Sequence, residues 1–262
     1  MSEFAETFNL DPAGYAAGRP GYPSVVFEVL ADRCGLAPGA AVVEIGPGTG
    51  QATAELLRRG ASVLAIEPGA ALAEHLRAAH AGEDLTVEVS SFEDAEVADG
   101  AADLVAAATS FHWVDTTIGM AKVASALRPG GWVALWWNLW YDRAGPDAFS
   151  RALDPIFAEF GDRQSTAHVD QNQEEHWLPL MRPAGFEDVT SERFAWAVDQ
   201  SSDDLVALFG TFSGMRVRPA AEQAAMLERI RGVADEQFGG TVRRSYQTVL
   251  YTGRKPGGKS SA

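Results

Sequence analysis

The stretch VVEIGPGTGQ sets Glu44, Gly46, Gly48 and Gly50 directly after an apolar, β-branched run and ahead of a helical pattern. Glycines at that spacing let the backbone turn tightly and approach a ligand with no Cβ in the way. The helix that follows directs free N–H groups and the positive end of its dipole at the same place. Taken alone, GxGxG also describes an ordinary strand-to-helix turn, but two further features point to a nucleoside ligand. Glu67 closes the next apolar run roughly twenty residues on, where a carboxylate can accept hydrogen bonds from ribose hydroxyls. The loop also departs from the GxGxxG of dinucleotide sites and carries Glu44 just ahead of it. A carboxylate there repels a pyrophosphate and suits a cationic, amine-bearing ligand. The combination favours a sulfonium nucleoside over NAD.

A second candidate lies in ATSFHWVD, where small apolar residues end in Phe111, His112 and Trp113 before Asp115. His112 stands just past the end of a fourth apolar run, at the edge where open α/β sheets place their ligands. Three readings are open: a catalytic base, a contact to cofactor or acceptor, or a structural histidine at the start of the next helix. Asp115, followed by Thr116 and Thr117, is the better helix cap. Aromatic residues gather nearby, with Trp113, Trp136, Trp137, Trp140 and Tyr141 around two strand ends and Trp177 and Phe212 further on. Along a strand Trp136 and Trp140 face one side and Trp137 the other, so one set can be plain core while those nearest the edge line an apolar pocket. Asn138 is a polar side chain in that run, suited to orienting an acceptor.

Apolar runs and helical patterns alternate from about residue 23 to residue 139, the signature of a parallel sheet with crossover helices. The runs AAVVEIG, ASVLAIEP, LTVEVSS, ADLVAAATS and WVALWWNLW read as strands, with helices before, between and after them, which predicts a doubly wound α/β sheet. Gly60, Gly82 and the RPGG at Arg128 to Gly131 stand where helices should stop. From Tyr141 the rhythm changes. Helical patterns at Phe149 to Phe160 and Glu174 to Pro183 sit in irregular sequence that reads as an insertion over the sheet. A strand in FEDVTSERFAWAV, two helices within Asp203 to Gln237 and a last strand in SYQTVLYTGR complete the chain. The expected divisions are 1–36 (a covering segment and helix), 37–140 (the ligand-binding core), 141–185 (a helical cap insertion), 186–254 (strands and helices completing the sheet and acceptor pocket) and 255–262 (a disordered tail).

The 262 residues carry a formal net charge of −15. Proteins that grip a polyanion by releasing its counterions carry a surplus of Lys and Arg, so nucleic-acid partners are disfavoured. Small basic clusters near Arg58, Arg216 and Arg243 read as solvated helix ends or loops. No stretch approaches the roughly eighteen apolar residues of a membrane span, and the N-terminus lacks the pattern of a signal peptide, so no membrane partner and a cytoplasmic location are expected. The single cysteine, Cys34, sits among Val29, Leu30 and Leu36 and reads as a buried small hydrophobe. His168 and His176 have no metal-ligand spacing, and no metal is expected.

These motifs together resemble the class I S-adenosylmethionine-dependent methyltransferases. EIGPGTG is similar to the family's first motif and Glu67 to its ribose-binding acidic residue. The segment SSFEDAEVADGAADLVAAATSFHWVD resembles the third- and fourth-strand motifs of the methyltransferase type 11 group, which includes the ubiquinone-biosynthesis and trans-aconitate methyltransferases. YAAGRPGYP, Tyr15 to Pro23, resembles the YxxxRPxYP-like opening of that group. The resemblance covers residues 13 to 139 well and the remainder loosely. It implies a Rossmann-like sheet of seven strands, mostly parallel with an antiparallel last strand. It also implies S-adenosylmethionine as cofactor, with S-adenosylhomocysteine as product.

By the same resemblance Gly46, Gly48 and Gly50 pass beneath the cofactor, Glu44 holds its ammonium group and Glu67 its ribose. Ser91, the backbone of Phe92 and nearby Glu93 meet the adenine edge, although family members often have Asp where Ser91 stands. Pro68 walls the adenine ring, Thr109 joins the cofactor contacts, and Tyr15 and Arg19 fold over the cofactor. Trp113, Trp137, Asn138 and Trp140 are expected in the acceptor pocket. The expected reaction is methyl transfer to an oxygen or nitrogen of a small apolar or aromatic metabolite, a carboxylate if the trans-aconitate likeness extends that far, by a monomer or homodimer. An RNA-directed methyltransferase and a non-catalytic cofactor-binding module are the alternatives; a dehydrogenase fits the GxGxG spacing less well.

Overall fold

The computed structural model describes residues 14, 16, 18–139, 147–160 and 174–257. A seven-stranded sheet runs through it in the order β3-β2-β1-β4-β5-β7-β6. Its first half alternates strand and helix: α1 (Ser24–Arg33), β1 (Ala41–Ile45), α2 (Thr53–Arg58), β2 (Ser62–Ile66), α3 (Ala70–Ala79), β3 (Leu85–Glu88), β4 (Ala102–Ala108), α4 (Thr116–Ala126) and β5 (Leu127–Leu139). Then follow α5 (Ala148–Glu159), α6 (Glu174–Met181), β6 (Glu187–Ser201), α7 (Ser202–Gly210), α8 (Ser213–Arg216), α9 (Ala220–Phe238) and β7 (Thr241–Arg254). Strands β1 to β5 pair in parallel, while β7 is antiparallel to both β5 and β6. This is the predicted α/β Rossmann-like architecture with its reversed last strand.

Period-two alternation sorts the side chains of each strand between two cores. On one face Trp136 and Leu250 pack with Phe27, Leu30, Leu56 and Leu76 from α1, α2 and α3. On the other Trp137 and Tyr251 pack with Val123 of α4 and Trp177 and Met181 of α6. β4 lies between β1 and β5, and its ADLVAAA sequence is largely buried on both faces, the pattern of a central strand in a sheet covered on both sides. Between β4 and β5 the register jumps from Ala102↔Leu127 to Leu104↔Trp132. The RPGG that ends α4 is absorbed there, with Gly130 at φ 80°.

A third core stands apart from the sheet. Among the described residues β5 pairs with β7 as far as Leu139↔Gln247, whereas β6 and β7 stay paired to Ser201↔Thr241. The two-stranded ribbon therefore rises past the carboxyl end of β5. Helices α5, α7 and α9 pack on each other at its tip around Phe149, Leu153, Leu205, Phe209, Met226 and Ile230. The two helices of the stretch 141–185 thus part company: α5 joins this cap, while α6 covers the sheet through Trp177 and Met181. Among the described residues no helix is long and apolar enough to cross a membrane.

One buried ion pair ties the cap to the ribbon. Asp147 caps α5 by accepting from the Ser150 N–H at 2.7 Å, and its other oxygen accepts from Arg244 Nε of β7 at 2.7 Å. Burial alone would push the Asp147 carboxyl up, but Arg244 and the Ser150 hydrogen bonds hold it below its ordinary range. Arg244→Ala leaves a half-buried carboxylate without its cation and is expected to lower stability by about 2 kcal/mol. The adjacent Arg243 pairs with Asp199 in the open, with side chains 70% and 59% exposed. Arg243→Ala is therefore expected to cost less than about 1 kcal/mol. Urea-unfolding midpoints of the two variants check the contrast, and equal losses would contradict it.

Candidate active site

The glycine loop leaves β1 through three left-handed turns, with Gly46 at φ 61°, Gly48 at 59° and Gly50 at 94°. Only glycine takes such angles without strain, and at two of these positions the space requires it as well. A Cβ on Gly46 would stand 2.7 Å from Ser110 Cβ, and one on Gly50 would stand 2.5 Å from Leu76 Cδ1. The loop is thus pressed between the exit of β4 and helix α3. Ser110 closes the first of these contacts by donating from its hydroxyl to the Ile45 carbonyl.

Two buried carboxylates flank this loop. Glu67, 5% exposed at the end of β2, accepts from the Gly48 N–H through Oε2 at 3.0 Å and from the Gly69 N–H through Oε1 at 2.8 Å. Burial raises its pKa, and the two amide hydrogen bonds work against that rise. Each oxygen keeps a lone pair for a further donor. Glu44, 0% exposed in β1, accepts from Thr53 Oγ1 through Oε2 at 2.7 Å. Its Oε1 has no hydrogen-bond partner among the described residues. Burial pushes this carboxyl up to about 7, with the Thr53 hydrogen bond lowering it and the Glu67 charge raising it. A buried carboxylate oxygen without a donor is costly, and an ammonium group is the donor that would relieve it best.

The chain before α1 lies across the same edge. A Cβ on Gly18 would come within 2.6 Å of the Ala207 carbonyl oxygen, so the backbone there rests directly on α7 of the cap. The Arg19 guanidinium sits 5.1 Å from the Phe212 ring. Asn138 Nδ2 donates to the Gly21 carbonyl at 3.0 Å, while Asn138 Oδ1 accepts from Thr248 Oγ1 at 2.7 Å. Thr248 in turn accepts from Trp196 Nε1 at 2.9 Å. Tyr22 shares a hydroxyl–hydroxyl hydrogen bond of 2.9 Å with Thr109 and meets Trp136 edge-on. Thr109 holds φ 57°, a strained angle for a β-branched residue, and its N–H is anchored on the Trp136 carbonyl at 2.7 Å.

Beyond Ser110 the chain makes one short turn, Phe111–Trp113, before Asp115 caps α4 by accepting from the Thr117 and Ile118 amides. His112 Nδ1 accepts from Trp137 Nε1 at 3.1 Å. The Trp137 ring is fixed by stacking on Trp177 at 4.8 Å and by the edge of Tyr251. Glu93 reaches over from the β3–β4 loop and accepts from the Asp115 N–H at 2.8 Å. The site is therefore a seam along the carboxyl edge of β1, β2, β4 and β5, roofed by the N-terminal segment and the cap.

Known proteins share this fold and part of this sequence. Residues 43–135 match the family described as a methyltransferase domain. An uncharacterized methyltransferase of Mycobacterium tuberculosis is 29% identical over 227 residues, covering 86% of this chain and 84% of that protein. A protein of Anaeromyxobacter dehalogenans, provisionally assigned as a type II methyltransferase, has the same fold at a TM-score of 0.67 and 22% identity, covering 91% of this chain and 99% of that one. Phosphoethanolamine N-methyltransferase 2 of Haemonchus contortus, solved with S-adenosylhomocysteine, superposes at a TM-score of 0.58 and 13% identity over 98% of this chain and 61% of that one. The chain is thus similar to methyltransferases over most of its length and has the fold of the class I methyltransferases.

In this chain the residues singled out from sequence fall into three sets. Glu44, the three glycines, Glu67, Thr109 and Arg19 converge on the seam, with Pro68 exposed beside Glu67. Ser91, Glu93 and Asn138 are engaged in holding loops: Ser91 closes its own turn on Asp94, Glu93 takes the Asp115 amide and Asn138 the Gly21 carbonyl. Phe92 and Trp137 are core side chains, Phe92 under the Lys122 ammonium, while Trp113 is largely exposed beside His112. Tyr15 and Trp140 lie outside the described residues. Sequence reasoning passed over Thr53, Ser110, Tyr22 and Thr248. Ser110 and Tyr22 sit inside motifs already noticed; Thr53 follows the glycine motif by two residues, and Thr248 has no local signal.

A carboxyl that titrates near 7 when folded and near the ordinary range of about 4.3 when unfolded holds a proton that the unfolded chain has released. Glu44 therefore contributes stability below about pH 4.3 and loses it as pH rises to about 7. Glu44→Gln in the ligand-free protein is expected to flatten the fall in melting temperature between about pH 5 and pH 8. Parallel pH profiles for the two proteins would assign that slope elsewhere.

Proposed function

We propose that this chain uses S-adenosylmethionine to methylate an oxygen or nitrogen of a small apolar or aromatic metabolite. The observation that carries the reading is the pair of buried carboxylates around a left-handed glycine loop, one with an oxygen awaiting a donor. Glu44 would take the cofactor's ammonium group, Glu67 its ribose hydroxyls on the lone pairs left by Gly48 and Gly69, and the Pro68 and Phe92 backbone region its adenine. Tyr15 and Arg19 would cover it. When bound, the cofactor supplies a methyl group already activated on a sulfonium.

The chain's own work is then alignment and exclusion of water. Gly46, Gly48 and Gly50 allow close backbone approach, and Ser110 and Thr109 fix the far wall against the loop. The Gly18–Tyr22 segment, bonded to the sheet through Asn138 and Thr109 and resting on α7, would keep solvent off the reacting atoms. A roof of this kind favours a small acceptor, and the net charge of −15 speaks against a polyanionic one.

Two measurements test the proposal. Calorimetry of S-adenosylhomocysteine binding is expected to show Glu67→Ala weakened by about tenfold or more, since it removes hydrogen bonds to a charged acceptor; unchanged affinity would refute the ribose assignment. Incubating metabolite extract with methyl-labelled cofactor is expected to place label in a small organic product. Label recovered only in RNA would replace the acceptor class.

A further inference from the structure

We propose that a second copy of this chain adds to the outer edge of β6, the two β6 strands pairing antiparallel about a two-fold axis at Trp196. Among the described residues β6 ends the sheet and pairs with β7 alone. The open side of an edge strand carries a row of backbone N–H and C=O groups, which is the template on which another strand adds. Edges are ordinarily blunted by being short, by proline or by a bulge. β6 has its register shift at the start, between Glu187 and Thr190, and from Thr190↔Thr252 to Ser201↔Thr241 the pairing with β7 is unbroken and the strand has no proline. Arg33 of α1 meets the strand at Thr190 and Glu192, and α7 departs from it at Ser202, so the stretch from Arg193 to Asp199 lies between these two attachments.

That stretch, RFAWAVD, is complementary to itself. Trp196 is flanked by Ala195 and Ala197, then by Phe194 and Val198, then by Arg193 and Asp199. In a two-fold dimer one patch meets its own copy, so each residue must suit the one equally far on the other side of the axis. A two-fold normal to the sheet keeps each face on its own side, so even positions meet even and odd meet odd. On one face Phe194 then lies opposite Val198 of the second copy, beside a Trp196 fixed by stacking on Tyr246 at 4.7 Å and by its bond to Thr248. On the other face the exposed Ala195 and Ala197 permit close approach, and Arg193 lies opposite Asp199 of the second copy at both ends of the stretch.

Both charges are already held at the level of the strand. Asp199 accepts from Arg243 at 3.2 Å and Arg193 donates to Gln247 at 3.0 Å, so the new ion pairs would continue rows that cross β6 and β7. Moving the axis by one residue in either direction sets Arg193 and Asp199 against Ala or Ser, so the charges specify the register. An unrelated strand could satisfy the backbone groups equally well, but the mirrored order of apolar, small and charged residues favours a copy of the same strand.

Sedimentation equilibrium of the full chain is expected to approach twice the 28.0 kDa of one chain as concentration rises through about 1–100 μM, the range suited to a small interface. Over the same range, hydrogen exchange of the Arg193–Asp199 amides is expected to slow. Neither measurement needs a variant, so both stand even if a substitution unfolds the chain. Asp199→Arg and Arg193→Asp each set like charges against one another at both ends of the stretch and are expected to weaken self-association by about tenfold or more. Mixed in equal amounts, the two variants place an arginine opposite an aspartate at both ends. They are expected to form a mixed dimer within about threefold of the unaltered affinity, which also shows both to be folded. A single-chain mass throughout, or a dimer whose β6 amides exchange no more slowly than the monomer's, would overturn the proposal. So would single variants that associate as the unaltered chain does, or cooperatively melting variants that stay apart when mixed.

Discussion

The carboxylate of Glu67 is buried between two backbone amides that belong to different loops, Gly48 after β1 and Gly69 after β2. Burying a carboxylate is costly until donors replace its water, so the two loops are held where their N–H groups reach it. That requirement fixes the distance between the glycine loop and the start of α3, and with it the shape of the edge on which every other feature of the site depends. The parallel pairing of β1 and β2, in register from Ala41↔Ser62 to Ile45↔Ile66, brings the loop and the carboxylate to the same height.

From this edge the constraint passes along the sheet by contact. Gly46 lies against Ser110, which follows Thr109, and Thr109 faces Tyr22 of the N-terminal segment. A positive φ at a β-branched residue costs of order 1–3 kcal/mol. Here it is offset by an N–H bonded to the Trp136 carbonyl and a hydroxyl bonded to Tyr22. The strain is local to the place where β4 turns from core to ligand edge. Three residues after Thr109, the same turn delivers His112 to the indole of Trp137, so β5 holds a side chain carried by the loop after β4.

Features carried by local pattern were legible in the sequence. The apolar alternation gave away five strands and their helices, and the glycines, Glu44 and Glu67 were conspicuous as residues that a plain strand-to-helix turn does not need. What stayed hidden depends on register between distant strands. Asn138 read as a polar side chain suited to orienting an acceptor, and nothing local shows that β5 pairs with β7 at Thr248, or that Gly21 arrives at its other side. Ser91 and Glu93 were expected at the adenine edge, and the partners each also holds sit across or within a loop whose path the sequence does not reveal. Trp136 and Trp137 were correctly expected on opposite faces, but which one would meet His112 depended on where α6 places Trp177.

The division into cores explains why reaction class is easier to read from this chain than the acceptor. Donor-side chemistry comes from backbone angles and two carboxylates inside the sheet, whose positions the parallel register dictates. The cap is a separate cluster on a ribbon that has outrun β5, tied back by the Asp147–Arg244 pair and by the N-terminal segment pressed on α7. Its apolar residues chiefly face one another, so they can vary with their own packing while the sheet edge is unchanged. A residue that joins the two regions must then come from the sheet and face the cap side of the seam. Asn138 is such a residue: it stands on β5 and holds Gly21, in the segment whose Gly18 rests on α7 of the cap.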